Sequence, residues 1–260
     1  MNSNKSLRDI LESFRAGRIT SEEAEMEISG LRIDNIGDFA RIDLGRKMRC
    51  GIPEVVLAEG KETGHLIGIL TYIANSGQRC IASRVSEEQA SAIMDSCSKS
   101  GIDCDYNAVG RTIVLSKGPA PEKTGGIIAV ITAGTSDAGV AEEAKVIAEE
   151  MGCTVRTVYD VGAAGIHRLF PALKETADAS VYVVCAGREG TLPTVVAGLV
   201  DKPVIGVPVS VGYGYMGKGE AALASMLQSC AVITVVNIDS GFTAGAFAAR
   251  IANMVKENEG

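Results

Sequence analysis

The 260-residue chain contains no tryptophan, and aromatic residues make up only 4% of it. Recognition of single-stranded nucleic acid by base stacking therefore has little to work with. A net charge of -7 argues further against a nucleic-acid partner, since phosphate backbones are gripped by excess Lys and Arg. Apolar runs are short, well below the roughly 20 residues that a membrane-spanning helix needs. The opening MNSNKSLRDI has no signal-like apolar segment, so the expectation is a cytoplasmic protein with no membrane partner. Histidine is scarce: His65 and His167 are too few for a His-rich metal centre. The seven cysteines, Cys50, Cys80, Cys97, Cys104, Cys153, Cys185 and Cys230, are odd in number and include no C-x-x-C pair. That spacing predicts neither a disulfide framework nor a structural zinc site, and no metal ligand set is expected.

What the chain does have is 46% hydrophobic residues, ample for one large domain or two smaller ones. With charged residues at 22%, disorder is expected only at the ends. Residues 1–37 read as two short helices. Leu7, Ile10, Leu11 and Phe14 recur at helical spacing, Gly17 ends the first helix, and Thr20 with Glu23 forms a capping box for the second. A small packing element is the plain reading. Residues 38–118 read as a small α/β unit with strands over 54–58, 79–83 and 111–116 and helices over 65–76 and 86–101. The run Gly118-Pro119-Ala120-Pro121 reads as a linker, which places a domain boundary between residues 1–118 and 119–260.

The second part is more regular. Five apolar strands, 126–132, 154–160, 180–185, 203–209 and 231–238, alternate with helices over 139–151, 166–176, 193–199, 220–228 and 243–256. Their apolarity is continuous rather than alternating, so the sheet is buried on both faces. The predicted fold class is α/β, a five-unit doubly wound parallel sheet with a smaller N-terminal α/β domain and leading helices. Ligands in such folds bind beyond the carboxyl ends of the strands, so the chemistry is expected in the loops that follow them.

The first loop is Gly134-Thr135-Ser136-Asp137. Ser136 or Asp137 can simply cap the next helix, while free N–H groups there also suit a phosphate or carboxylate. The second loop runs into His167-Arg168, a pair that is either structural or an anion ligand. The third, Gly187-Arg188-Glu189-Gly190-Thr191, sets an Arg and a Glu between glycines, where backbone approaches a ligand closely. Glu189 is the preferred acid/base or cation-holding group. The fourth, Gly212-Tyr213-Gly214-Tyr215-Met216-Gly217, spells G-x-G-x-x-G with Asp239 at the end of the next strand. It sits in a long loop after the fourth strand rather than in a first strand-to-helix turn, which favours a nucleotide-covering loop over a dinucleotide clamp. Cys230 ends the helical run ALASMLQSC. Read alone, it is a buried structural thiol.

In this order the loops resemble the purine-biosynthetic carboxylase family PurE over residues 125–256. The matching segments are Gly134-Thr135-Ser136-Asp137, Gly165-Ile166-His167-Arg168, Arg188 to Pro193 and Gly206-Val207-Pro208-Val209. One departure matters: the acid/base histidine of the family's H-L-P-G motif falls on Thr191, which cannot move that proton near neutral pH. The LarB family shares the departure, and the chain resembles it across almost its whole length. The segments are Gly187 to Pro193, Ser229-Cys230-Ala231, Val236 to Gly245, and an N-terminal run through Asp43, Arg46, Arg49, Gly51, Glu54 and Val56, to which Lys61 adds. A scaffolding or adenosine-side role for that N-terminal run stays open.

The LarB resemblance implies carboxylation of C5 of the pyridinium ring of nicotinic acid adenine dinucleotide and hydrolysis of its phosphoanhydride. The products are pyridinium-3,5-biscarboxylic acid mononucleotide and AMP, on the route to the nickel-pincer cofactor of lactate racemase. Carbon dioxide or bicarbonate is the implied co-substrate, Mg2+ is expected to accompany the dinucleotide, and no tightly bound cofactor is expected. The implied catalytic residues are Cys230, Glu189, Asp137 and Ser136. The implied substrate-binding residues are Gly134, Thr135, His167, Arg168, Arg188, Gly190, Thr191, Gly212, Gly214 and Asp239. A homo-oligomer with sites near subunit contacts is expected. The alternatives are a PurE-type aminoimidazole ribonucleotide carboxylase or mutase, and a non-catalytic nucleotide-binding protein.

Overall fold

The computed structural model describes residues 7–212 and 214–257. Contacts divide the chain into two compact units. Met1–Asp105 with Ile113–Gly118 form the first, and Tyr106–Thr112 with Pro119–Gly260 form the second.

The first unit opens with helices α1 (Leu7–Arg15) and α2 (Ser21–Ser29). The Thr20–Glu23 capping box forms as its sequence requires: the Glu23 N–H donates to Thr20 Oγ1 at 3.1 Å and the Thr20 N–H to Glu23 Oε2 at 2.7 Å. Such a cap contributes about 1 kcal/mol. The helical reading through residue 37 is corrected here, because strands β1 (Ile33–Ile36) and β2 (Ala40–Asp43) form an antiparallel pair. Gly37 takes a φ of +51° in the turn between them. Helix α3 (Arg46–Cys50) follows, which the sequence did not announce.

Strand β3 (Val55–Leu57), helix α4 (Thr63–Asn75), strand β4 (Cys80–Ser83), helix α5 (Glu87–Ser100), and strands β5 (Asp103–Asn107) and β6 (Thr112–Ser116) complete the α/β part. The sheet order is β3-β4-β6-β5, with β3 parallel and β6 antiparallel to β4. Strand β5 was missed from sequence because DCDYN carries too little apolar pattern to register.

The second unit contains strands β7 (Ile127–Thr132), β8 (Thr154–Val158), β9 (Val181–Ala186), β10 (Val204–Pro208) and β11 (Thr234–Val235). Its helices are α6 (Ala138–Glu150), α7 (Leu169–Glu175), α8 (Leu192–Ala197), α9 (Glu220–Leu227) and α10 (Gly241–Glu257). All strand pairs are parallel and the order is β11-β10-β9-β7-β8. The chain runs from β7 outward to β8, then returns to the other side of β7 for β9, β10 and β11. The topological switch point therefore lies between β7 and β9, where ligands of such sheets bind.

The core explains the continuous apolar strands. Ala129, Ile131, Tyr182 and Val184 pack with Leu169, Leu192 and Met226 of the helices α7, α8 and α9. Helices α6 and α10 pack on each other and against β7 and β9. Each fully buried Val, Leu or Ile side chain contributes about 1.5–3 kcal/mol, which fixes the sheet and leaves its rim free to vary.

Three differences from the sequence reading bear on the site. The last strand covers two residues rather than 231–238. It is an edge strand paired on one side only, and the flanking Val232 is exposed. Helix α7 starts at Leu169 rather than Ile166, because residues Ala163–Arg168 form a 3-10 turn. Helix α9 stops at Leu227, so Cys230 lies beyond its end and is not part of it. No helix among the described residues is long and apolar enough to cross a membrane.

Candidate functional site

The loops after β7, β8, β9 and β10 meet around a cleft of about 190 Å3 at the switch point. The first loop contributes Gly134, Ser136 and Asp137, and the second contributes Gly162, Ala163 and Ala164. The third contributes Gly187, Arg188, Glu189, Gly190 and Thr191. A second cavity of about 290 Å3 shares Arg188 and Glu189 and is otherwise lined by the glycine-rich loop, including Gly212, Gly214, Tyr215 and Met216.

Asp137 is the pivot of the first cleft. Residues Thr135–Asp137 form a 3-10 turn between β7 and α6. That turn aims the carboxylate back at its own loop: Asp137 makes no side-chain cap to α6, which corrects the capping alternative for this residue. Its Oδ2 instead accepts the Gly134 N–H at 2.8 Å. The N–H of Gly187, on the third loop, is its other partner. Asp137 is only 3% exposed. Burial pushes its pKa above the ordinary carboxylate range, and the two N–H groups offset only part of that. One buried carboxylate thus ties together the two loops that flank the switch point and can hold a proton more readily than a surface aspartate.

The third loop is built by close backbone approach. A Cβ on Gly190 would lie 2.6 Å from the Ala222 carbonyl oxygen, and Gly190 has a φ of +63°. A Cβ on Gly187 would meet Val211 O at 3.1 Å and Asp137 Oδ1 at 3.3 Å. Between these glycines Arg188 is held at a φ of +39°, and both Arg188 and Glu189 are exposed. Seven non-glycine residues have a positive φ among the described residues. Five of them, Asp160, Arg188, Met216, Lys218 and Asp239, follow the parallel strands on this same rim. Strain of that kind gathers where a site needs side chains held in set directions.

The structure separates the remaining sequence candidates from the cleft. Thr135 is exposed and does not line it, unlike its neighbours Gly134 and Ser136. His167 and Arg168 are exposed on the 3-10 turn, outside the lining of both cavities. Arg168 Nη1 instead donates to Asp160 Oδ2 at 2.7 Å. The second loop reaches the cleft through its small residues, and the signal for that was the run Gly162-Ala163-Ala164 rather than the His-Arg pair.

Asp239 also lies outside both linings. Its Oδ1 accepts the Ser210 N–H at 2.8 Å and its own N–H donates to Pro208 O at 2.9 Å, which anchors the root of the glycine-rich loop. Cys230 is exposed, correcting the buried structural reading, and lines neither cavity. The adjacent Ser229 is tied to α8, where Thr194 Oγ1 donates to its Oγ at 2.8 Å. Cys185, by contrast, lies at the end of β9, fully buried. Burial and the nearby Asp137, Glu143 and Asp239 carboxylates raise its pKa far enough to keep it a thiol.

In the first unit the segment Asp43–Glu54 engages itself. Arg49 pairs with Asp43 and donates to Gly30 O at 2.8 Å, and Arg46 pairs with Glu54 at 3.4 Å. Burial raises the pKa of Glu54 despite Arg46. No cluster of three His, Cys, Asp or Glu side chains placed to hold a metal occurs among the described residues.

A parallel doubly wound sheet, with glycine loops gathering a buried carboxylate, a Glu and an Arg at its switch point, is a setting for small-molecule chemistry. Comparison with known families agrees. The AIR carboxylase family model matches residues 127–259, and the LarB/PurE-like N-terminal domain model matches residues 33–117. The chain belongs to the LarB family, with a PurE-like C-terminal domain.

An uncharacterized protein of Methanocaldococcus jannaschii is 40% identical over 96% of this chain and 98% of its own length. The N5-carboxyaminoimidazole ribonucleotide mutase of the same organism is 35% identical over 51% of this chain and 82% of its own. A probable N5-carboxyaminoimidazole ribonucleotide mutase of Methanothermobacter thermautotrophicus is 31% identical over 48% of this chain and 37% of its own.

Proposed function

We propose that the chain carboxylates C5 of the pyridinium ring of nicotinic acid adenine dinucleotide and hydrolyses the phosphoanhydride, releasing AMP and pyridinium-3,5-biscarboxylic acid mononucleotide. The observation that carries this reading is Thr191 in the cleft wall, at the position the purine-carboxylase pattern fills with histidine. An aminoimidazole is an enamine and attacks carbon dioxide directly, needing only a proton shuttle. A pyridinium ring is electron-poor, and its C5 is no nucleophile until the ring charge is removed.

A thiolate supplies that step. Sulfur adds at C4, neutralising the ring and leaving an enamine. C5 then forms a bond to carbon dioxide. A base removes the C5 proton, and expulsion of the thiolate restores the aromatic ring. Glu189, exposed in the cleft wall, is the base, and buried Asp137 with Ser136 orients the ribose or phosphate. Cys230 is the thiol. Because it lines neither cavity of its own chain, a neighbouring subunit presents it in a homo-oligomer. Magnesium accompanies the substrate phosphates, where charge is concentrated.

The direct test incubates the protein with the dinucleotide and bicarbonate, with and without Mg2+, and looks for AMP and the carboxylated mononucleotide by mass spectrometry. Absence of both ends this reading. The shared site is tested by mixing two inactive proteins, Cys230→Ala and Asp137→Asn, under subunit exchange. Partial recovery of activity is expected, and demonstrated exchange without recovery removes the shared site.

A second reading, a carboxylase or mutase acting on carboxyaminoimidazole ribonucleotide, is favoured by the 35% identity to the Methanocaldococcus jannaschii mutase over 137 residues and by the AIR carboxylase model at residues 127–259. Turnover of that nucleotide by this chain would establish it.

A further inference from the structure

We infer that Glu142 is a positioning residue for the switch-point cleft: it ties the turn between β5 and β6 to Tyr159, and so sets where the second loop stands in the cleft wall. The role depends on that cleft being the site and on no particular reaction there.

The first observation is where the turn packs. Residues Tyr106–Thr112 belong with the second unit, although the strands they join lie in the four-stranded sheet. Glycines let the turn sit directly on α6. A Cβ on Gly110 would lie 3.0 Å from the Glu142 Cβ, and one on Gly139 would lie 3.2 Å from the Val109 carbonyl oxygen. Inside the turn, the Gly110 N–H donates to Asn107 Oδ1 at 2.8 Å. That bond fixes which way the Asn107 amide faces and leaves its Nδ2 to donate to Glu142 Oε2 at 2.5 Å.

The second observation is what Glu142 collects. Its Oε1 accepts the Tyr159 hydroxyl, and Lys145 Nζ lies 3.6 Å from its Oε2. Only 13% of the Glu142 side chain is exposed. Burial works against its charge, yet the Tyr159 and Asn107 donors and Lys145 together hold its pKa below the ordinary carboxylate range. Glu142 is therefore ionised at neutral pH, and bonds to an ionised acceptor are the strong ones.

The third observation is what Tyr159 leads into. It follows β8 directly, and the next residue, Asp160, has a φ of +58°. From there the chain is pinned against the end of β7. The Asp160 N–H donates to Thr132 Oγ1 at 3.1 Å and the Val161 N–H to Thr132 O at 3.0 Å. A Cβ on Gly162 would lie 2.7 Å from the Ala133 carbonyl oxygen. Gly162, Ala163 and Ala164 then line the cleft with backbone and methyl groups alone. They have no long side chain to absorb a shift, so the placing of the backbone decides what a ligand meets. Glu142 lies little more than one turn of α6 beyond Asp137, so one carboxylate fixes the second loop against the first.

The test follows backbone hydrogen exchange by mass spectrometry in the full chain. Asn107→Asp sets a second carboxylate against Glu142. Combining it with Glu142→Gln reverses donor and acceptor and keeps an oxygen for both Tyr159 and Gly110. Tyr159→Phe removes the hydroxyl alone. Losing a bond to a charged partner corresponds to roughly a 10- to 100-fold change in a local opening equilibrium. Asn107→Asp and Tyr159→Phe should each speed exchange over residues 160–165 by that factor. Residues 187–191 should stay within about twofold of the wild type, and the paired variant should recover most of the protection. The kcat/KM for the dinucleotide should fall and recover in the same order. Unchanged exchange over 160–165 in Tyr159→Phe, a rise spread evenly over the second unit, or no recovery in the paired variant would overturn the role. So would faster exchange at full kcat/KM. A wild type that turns over no dinucleotide counts against the carboxylation alone, and the exchange pattern still decides Glu142.

Discussion

Replacing Asp137 removes a carboxylate that is 3% exposed and joins the first and third loops through the N–H groups of Gly134 and Gly187. Alanine leaves both donors without their acceptor. A buried donor stripped of its partner costs about 1–3 kcal/mol, so Asp137→Ala should destabilise the second unit by roughly 2–6 kcal/mol. At about 2–4 °C per kcal/mol for a domain of this size, its Tm falls by about 5–20 °C. Asparagine keeps one acceptor oxygen and removes the buried charge, so its loss is smaller.

The pH dependence separates the two contributions. Burial raises the folded-state pKa of Asp137 above its unfolded value. The stability this group contributes is therefore fully present below the unfolded pKa, near 4, and is lost as pH rises through the raised folded pKa. The wild type carries that loss and Asp137→Asn does not. The Tm of the asparagine variant minus that of the wild type should therefore rise from acid toward neutral pH, even while the variant loses turnover. Calorimetric scans of both proteins between pH 3 and pH 7 read this difference directly. A difference that stays flat across the range, or an alanine variant as stable as the wild type, would refute the assignment of Asp137 as a buried tie between loops.

Glu189→Gln should abolish carboxylated product while nucleotide affinity, measured by calorimetry, stays within a fewfold of wild type. Full activity in that variant removes Glu189 as the base. Gly190→Ala places a Cβ 2.6 Å from the Ala222 carbonyl oxygen at a φ of +63°, and should cost about 1–3 kcal/mol or more while disturbing the cleft wall. An alanine variant with wild-type denaturation and activity would show that the approach is not tight. Arg168→Ala breaks an exposed pair with Asp160, worth about 0–1 kcal/mol, so its Tm should scarcely move. If Arg168 also steers the anionic substrate, KM rises more than kcat falls; a pure kcat defect would contradict that.

Much of the second unit was legible because its signal is coarse. Runs such as Ile127–Thr132 and Val181–Ala186 are apolar at every position, and only a strand covered on both faces tolerates that. That the chemistry lies in the loops after the strands followed from the parallel sheet, and the third loop announced itself through its glycines, but the switch point needed the strand order of the structure. The first unit was harder. Strand β5 is half polar, β1 and β2 are four residues each, and α3 is a five-residue turn, all below the length at which periodicity speaks. The last strand was overread, since apolar residues at 231–238 include Val232, which stays exposed at the sheet edge. His167-Arg168 lies outside the cleft lining for a local reason: residues Ala163–Arg168 coil into a 3-10 turn before α7.

What the sequence conceals most is how the rim is held. Asp160, Arg188 and Asp239 all sit in the left-handed region without being glycine, and such positions cost about 1–3 kcal/mol each. Nothing in the letters D, R and D says so, because the strain is imposed by partners far along the chain. Asp160 receives support from Thr132, whose Oγ1 accepts its N–H at 3.1 Å. Asp239 is fixed by Pro208 and Ser210 on the neighbouring strand end. Arg188 is held between glycines whose backbones abut Ala222 and Val211. In each case the tertiary contact comes from another strand-loop unit, so the strain is shared by the sheet rather than by the loop that carries it. A sheet buried on both faces can bear that load, and the loops it supports keep Asp137, Glu189 and Arg188 around one cleft.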